Sequence, residues 1–138
     1  MVEISLEYRG DLRCFSVHGP SQATLSTDAP RDNLGKGEAF SPTDLTATSL
    51  GVCMLTTMAI AALKKSLRVD LSGTRATIRK HMTAAPPRRI KKIEVHVEIP
   101  LSDSDSARDT LEEAALTCPV ALSLHPDVEK LITFVWTR

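Results

Sequence analysis

The chain has 138 residues, of which 42% are hydrophobic, and its 17 basic and 17 acidic side chains leave no formal net charge. The length favours one domain over residues 1–138, and the apolar content is enough for a packed core, which excludes wholesale disorder. A neutral chain lacks the basic surplus of a general nucleic-acid binder, and three cysteines are too few for a secreted disulfide scaffold.

The first quarter of the sequence predicts an antiparallel meander followed by a loop. Apolar and polar residues alternate over residues 2–8, which is typical of a half-buried strand, and residues 9–11 predict a turn. Residues 13–17 and 23–27 are then expected to return as strands. Residues 28–41 contain one proline and two glycines and predict a loop, a common place for functional side chains. The sequence begins without a basic flank or an apolar stretch of signal-peptide type, so we expect a cytoplasmic protein.

A long helix is predicted to follow this loop. Ser41 suits the N-cap, Pro42 the first helical position, and Asp44 the third residue after the cap, and the helix is expected to run to about residue 67. Residues 45–63 form a run of 19 uncharged residues, long enough for a membrane span. We favour a buried helix instead, because the run contains five hydroxyl side chains and a glycine. A small chain cannot easily surround such a helix alone, which predicts a homodimer in which a second chain completes its cover.

The second half of the chain predicts strands and helices in separate runs. Strands are expected over residues 71–81 and 90–99, helices over 103–117 and 119–124, and a closing strand over 131–137. Segregated runs of this kind indicate the α+β class.

Each of the three cysteines has a plain structural interpretation. Cys53 lies mid-helix and could be a small apolar core residue. Cys118 precedes a proline-led helix, whose free N–H groups and dipole would favour a thiolate, although it also continues an apolar stripe of the preceding helix. Cys14 lies in a meander strand and is most simply structural. On local physics alone, therefore, Cys118 ranks as the better thiolate.

Two motifs together resemble the OsmC/Ohr family, the osmotically induced and organic hydroperoxide resistance proteins, in its OsmC-like branch. The first is Ser41-Pro42-Thr43-Asp44-Leu45 followed by seven residues and Cys53. The second is Cys118-Pro119-Val120, and the two cysteines are 65 positions apart. The resemblance covers most of the chain. It implies an N-terminal antiparallel meander and a second strand group packed around a long central buried helix, in an intertwined homodimer.

The resemblance also implies a thiol-dependent peroxidase. In the family, the first cysteine, here Cys53, attacks the distal oxygen of an organic hydroperoxide and becomes a sulfenic acid while an alcohol leaves. The second cysteine, here Cys118, condenses with it to a disulfide, and an external dithiol reductant of lipoyl or thioredoxin type restores the pair. No bound cofactor and no membrane or nucleic-acid partner is expected.

An arginine is expected to stabilise the thiolate, because the family uses one and a thiolate in an apolar pocket is costly. Arg31, in the loop before the first motif, is the first candidate. Arg9 is the second and Arg13 the third. Each of them could instead be an ordinary solvated arginine.

The chain departs from the family at Thr43, where classical members have a glutamate that orients the arginine. Asp44 follows, but the nine residues to Cys53 amount to about 900° and about 13 Å along a helix, so the two side chains would face opposite sides. Asp44 is therefore expected to complete the cap with Ser41, and Glu38 is a possible substitute for the missing acid. The departure leaves open an alternative, a non-catalytic dimer that binds a small hydrophobic ligand at the subunit interface.

Two further groups of side chains carry weaker signals. The four histidines show no spacing typical of a metal site, so none is expected. A basic stretch over residues 79–92 predicts a solvated hairpin, with a patch for an anionic partner as the alternative.

Overall fold

The first three strands form a sheet of their own. The computed structural model describes residues 1–102 and 105–138, which divide into two units, residues 1–46 and 47–138. In the first unit β1 (Ile4–Gly10), β2 (Arg13–His18) and β3 (Thr24–Asp28) pair antiparallel in that order. The predicted meander is confirmed.

The first hairpin turns two residues later than predicted. β1 extends to Gly10, which pairs with Arg13, and Asp11 and Leu12 form the turn with φ angles of 50° and 61°. Two consecutive residues with positive φ are typical of the tight turn whose twist matches that of the flanking strands. The turn therefore falls at residues 11–12 rather than 9–11.

The loop after β3 is closed by main-chain hydrogen bonds. The Gly37 N–H donates to the Ala29 carbonyl at 3.2 Å, and the Asp28 N–H donates to the Phe40 carbonyl at 3.2 Å. A Cβ on Gly35 would lie 1.7 Å from the Ala29 carbonyl oxygen, so only glycine fits there. A single 3-10 turn, Arg31–Asn33, lies inside the predicted loop.

Helix α1 (Pro42–Lys64) begins in the first unit and continues through the second. The Ser41 hydroxyl accepts the Asp44 N–H at 3.1 Å, and the Asp44 carboxylate accepts the Ser41 N–H at 2.9 Å. This reciprocal cap is the one expected from the sequence. The helix ends at Lys64 rather than near residue 67, because Ser66 takes a left-handed φ of 53° and Leu67 N–H returns to the Ala62 carbonyl at 2.9 Å.

One face of α1 is buried in the single chain, and the rest is not. The buried stripe consists of Ala47, Leu50, Gly51, Met54, Met58 and Ala62. Val52 and Leu63, outside the stripe, are 58% and 81% exposed. By length and composition α1 could cross a membrane, but the core helix of a soluble protein meets the same criterion. The homodimer that would cover the exposed face stays a prediction.

The second unit contains a three-stranded sheet in the order β4-β5-β6, formed by β4 (Arg75–Met82), β5 (Ile90–Ile99) and β6 (Glu129–Trp136). β4 and β5 pair antiparallel, whereas β5 and β6 are parallel. The parallel pairing is possible because the crossover between them contains α2 (Arg108–Leu116) and α3 (Pro119–Ser123). Together with the meander and the central helix, this arrangement confirms the α+β class.

Packing between α1 and this sheet is close. A Cβ on Gly51 would lie 2.7 Å from Ile78 Cδ1 of β4. From β5, Ile93, Val95 and Val97 belong to the same buried core as Leu50 of α1. The glycine in the middle of α1 is therefore explained by contact with the sheet.

Three predicted boundaries in this unit differ from the structure. Residues 71–74 form a turn, with Gly73 at φ 85°, so β4 begins at Arg75 rather than at 71. α2 begins at Arg108; of the predicted helical residues, 103 and 104 lie outside the described residues. β6 begins at Glu129, two residues before the predicted start, where it pairs with Lys92 of β5.

Candidate active site

Cys53 lies on α1, half-buried, in the second unit. Its side chain packs against the buried core cluster of that unit, next to the stripe that faces the sheet. Cys53 Sγ lies 3.9 Å from Thr57 Oγ1, one turn further along the helix. The same hydroxyl donates to the Cys53 carbonyl oxygen at 2.7 Å.

Cys118 is fully buried, with 0% of its surface exposed, at the N-cap of α3. Its extended backbone, with φ −63° and ψ 150°, and Pro119 in the first turn define where the short helix starts. The Cys118 carbonyl accepts the Leu122 N–H at 3.2 Å. Cys118 thus lies at the start of α3, as the sequence predicts.

Burial nevertheless raises the pKa of the Cys118 thiol. Removal from water is the largest cause, and the hydrogen bond and negative charge of Cys53 add to it, while the amides of Ala121 and Val120 act in the opposite direction. Burial therefore acts against the Cys118 thiolate that the helix start was expected to favour. A sequence shows the helix start, but it does not show the loss of water around the sulfur.

The two thiols belong to the same packed region, because Cys53 lies against the buried core that contains Cys118. Interaction with Cys53 is one of the causes that raise the pKa of the Cys118 thiol. Both are free thiols. Two neighbouring thiols can form a disulfide after one of them is oxidised.

The candidate arginines all lie in the first unit. Arg31 donates from Nε to the Lys36 carbonyl at 3.0 Å and is exposed. Arg9 is paired with Glu7, Nε to Oε2 3.0 Å, and lies over the Phe15 ring at 3.9 Å. Both are thus held by local contacts within their own unit.

Arg13 and the possible acid substitute Glu38 form an ion pair with each other. Arg13 also lies 3.5 Å from Oδ2 of Asp28, its cross-strand partner, whose side chain is fully buried. The backbone N–H of Glu38 donates to the same carboxylate at 2.9 Å and is the main cause of a lowered Asp28 pKa. Glu38 is therefore occupied with Arg13, which links β2 to the end of the loop.

The two first-turn residues of α1 have capping contacts. The Thr43 hydroxyl lies 3.2 Å from the Ser41 hydroxyl, and Asp44 completes the cap described above. Thr43, where the family's glutamate would stand, thus presents a hydroxyl rather than a charge.

The structure adds two residues to the candidate site residues. The sequence already indicates Thr57 as a neighbour of Cys53, because a hydroxyl four positions after a helical cysteine lies beside it. Asp28 could not be found from the sequence, since only the β2–β3 register and the loop closure bring Arg13 and Glu38 to it. Within residues 1–102 and 105–138 there is no group of three or more His, Cys, Asp or Glu side chains that could hold a metal ion.

Basic side chains of the β4–β5 hairpin are paired with an acidic side chain of the same hairpin. Glu94 Oε1 lies 2.9 Å from His81 Nε2 and 2.7 Å from Lys92 Nζ. Arg89 donates to the carbonyls of Ile90 and Asp127. These contacts are those of a solvated strand pair.

The fold and the motifs have clear relatives. The model of the OsmC-like protein family matches residues 35–130. A crystal structure from Psychrobacter arcticus, provisionally described as an osmotic stress induced and detoxification response protein, is 42% identical, with 98% of this chain and 96% of that chain covered and a TM-score of 0.89. This chain therefore belongs to the OsmC-like protein family.

More distant structures share the fold. An organic hydroperoxide resistance protein OsmC from Legionella pneumophila is 18% identical over 97% of this chain and 96% of its own, with a TM-score of 0.76. An organic hydroperoxide resistance protein from Elizabethkingia anophelis is 16% identical over 99% and 96%, with a TM-score of 0.77. No curated protein matches the chain.

Proposed function

We propose that this protein is a thiol-dependent peroxidase that reduces organic hydroperoxides to alcohols. The placement of Cys53 against the core that contains Cys118 carries the proposal, because it brings a half-buried sulfur and a fully buried sulfur into the same packed region. The family membership and the names of the related hydroperoxide resistance proteins support it.

In the first step the Cys53 thiolate attacks the distal oxygen of the hydroperoxide. An S–O bond forms, the O–O bond breaks, and the alkoxide takes a proton and leaves as an alcohol. Cys53 is oxidised to a sulfenic acid, and the hydroperoxide is reduced by two electrons.

In the second step Cys118 attacks the Cys53 sulfenic acid. An S–S bond forms, the sulfenic S–O bond breaks, and the hydroxide combines with the Cys118 proton and leaves as water. The raised pKa of Cys118 favours this division of labour, because its proton is retained until the sulfenic acid is present. A dithiol of lipoyl or thioredoxin type then exchanges with the disulfide and carries away two electrons.

Further parts of the proposal come from the family resemblance. Arg31 stays the first candidate for the guanidinium that stabilises the thiolate, with Arg9 and Arg13 behind it. A cytoplasmic homodimer is proposed, and the apolar side chains of α1 outside its buried stripe, such as Val52 and Leu63, would supply contact area for the second chain.

The test is turnover of cumene hydroperoxide with a dithiol reductant in excess. We expect the natural protein to consume peroxide catalytically and Cys53→Ser to be inactive. Cys14→Ser is the matched control, since Cys14 lies on β2 in the other unit, and it should keep full activity. If the natural protein and both variants consumed the peroxide only at the same background rate, the proposal would be overturned.

A second candidate function, binding of a small hydrophobic ligand, is favoured by a groove of about 400 Å³ in the second unit. It lies between the C-terminal half of α1 and residues 67–74, and its lining includes Leu55, Met58, Leu63 and Val69. A volume of this size fits a small molecule. Saturable binding of an apolar dye by an inactive protein would support this alternative.

A further inference from the structure

The Thr57 hydroxyl has two neighbours that belong to the same residue. It donates to the Cys53 carbonyl at 2.7 Å, and its oxygen lies 3.9 Å from Cys53 Sγ. A threonine in a helix often returns its hydroxyl to the carbonyl four residues earlier. Here that ordinary contact places the Thr57 O–H group beside the sulfur of Cys53, which is the attacking atom in the proposed function.

We infer that Thr57 is a further catalytic residue, whose hydroxyl turns from the Cys53 carbonyl to the Cys53 sulfur when the thiolate forms and stabilises it. The inference rests on the proposed function, because it assigns a role to Thr57 only if Cys53 is the attacking thiol.

The Cys53 carbonyl loses little hydrogen-bond energy when the Thr57 hydroxyl turns away from it. In a regular α-helix the Cys53 carbonyl also accepts the main-chain N–H of residue 57, so it keeps a partner after the hydroxyl turns away. The required motion is a rotation of one O–H bond with a small approach of the two side chains. A donor to a charged acceptor is about twice as strong as a neutral hydrogen bond, so the thiolate gains more than the carbonyl loses.

The Cys53 sulfur then has a donor from its own helix, because Thr57 supplies an O–H from the following turn of α1.

The neighbouring Thr56 provides a matched control. Its hydroxyl makes the same kind of contact, donating to the Val52 carbonyl at 2.9 Å, but the residue is exposed and its i−4 neighbour is a valine. Removing either hydroxyl therefore removes one helix back-bond. Only the Thr57 change also removes a donor from a cysteine.

The experiment compares Thr57→Val, Thr57→Ser and Thr56→Val by two readouts. One is the rate at which iodoacetamide alkylates Cys53 as a function of pH, and the other is the rate of Cys53 oxidation by cumene hydroperoxide in a single turnover. We expect Thr57→Val to slow both about five- to tenfold near neutral pH and to shift the alkylation profile to higher pH. Thr57→Ser should restore both rates, and Thr56→Val should leave them unchanged.

Two results would overturn the inference: equal slowing by Thr56→Val and Thr57→Val, or natural rates in Thr57→Val. If Thr57→Val fails to fold, Thr57→Ser carries the test together with Thr57→Ala. In that case we expect the alanine variant to lose both rates and the serine variant to retain them. Loss of both rates in both variants would contradict the inference.

Failure of the proposed function would give a different pattern of results from failure of the Thr57 inference. If the natural protein is not oxidised by the hydroperoxide while Thr57→Val still slows alkylation, Thr57 stabilises the thiolate but the peroxidase proposal fails. If the natural protein is oxidised and Thr57→Val matches it, the peroxidase proposal stands and the role of Thr57 fails.

Discussion

Cys53 packs against the buried core that contains Cys118, although the two cysteines are 65 positions apart in the sequence. Cys118 is fully buried and Cys53 half-buried, so the two sulfurs differ in their access to water. This difference matches the roles that the proposed function gives them: Cys53 as the sulfur that meets substrate and Cys118 as the resolving thiol.

Replacing Cys118 should trap the first oxidation product. In Cys118→Ser the Cys53 sulfenic acid has no thiol partner, so it should accumulate after one equivalent of hydroperoxide and be labelled by dimedone. The natural protein should show little labelling, because the disulfide forms. Dimedone labelling of equal extent in both proteins would contradict the resolving role of Cys118.

The Asp28 carboxylate should make stability depend on pH. Its pKa is lowered by the Glu38 backbone N–H and by Arg13, so it favours the folded state above the ordinary aspartate pKa of about 3.9. That contribution is lost as pH falls through the folded-state pKa. Asp28→Asn should therefore lower the urea midpoint clearly at pH 7 and much less at pH 3.

The exposed Glu3 provides the control for this experiment. Glu3→Gln lies in the same unit and removes the same charge, and it should leave the midpoint nearly unchanged at both pH values. An Asp28→Asn effect that is the same at pH 3 and pH 7 would show that lost packing, rather than lost charge, explains it.

Two glycines of the first unit should differ in their tolerance of alanine. At Gly35 a Cβ would collide with the Ala29 carbonyl, whereas at Gly10, with φ 86°, a Cβ would meet nothing within 4 Å. Gly35→Ala should cost about 1–3 kcal/mol or more as an overpacking change. Gly10→Ala should cost about 1–2 kcal/mol, for the left-handed backbone alone. Chemical denaturation measures both, and a Gly10→Ala variant that is the less stable would contradict this account.

The exposed apolar side of α1 should hold the proposed dimer together. Val52→Glu places a charge among apolar side chains that a second chain would cover, so it should shift the protein from dimer to monomer in sedimentation equilibrium. Lys65→Glu, just beyond the helix end, is the control and should leave the association state unchanged. Sedimentation of the natural protein as a monomer would refute the dimer.

Much of the fold could be predicted from local patterns. Ser41 and Pro42 predict the start of α1, and the alternation of residues 90–99 predicts the bounds of β5. The direction of β6 relative to β5 could not be predicted, because alternation has the same period in parallel and antiparallel pairs. The parallel pairing of β6 with β5 therefore follows only from the structure.

The candidate site also has features that could be predicted from the sequence and features that could not. The positions of Cys53 on a helix and of Cys118 at a helix start were readable from neighbouring residues. The raised pKa of Cys118 was not, because it depends on burial by distant parts of the chain. The pairing of Glu38 with Arg13 was missed for the same reason: the two residues are 25 positions apart and meet only through the folded loop.

The most direct test of the central claim is a residue-resolved count of oxidised sulfur after one equivalent of cumene hydroperoxide is added to the reduced protein. After the remaining free thiols are blocked, peptide mass spectrometry should find one Cys53–Cys118 disulfide per chain. Cys14 should still be a thiol at the moment of blocking, and the hydroperoxide should be consumed. Cys53 and Cys118 both recovered as thiols, with the hydroperoxide intact, would contradict the account.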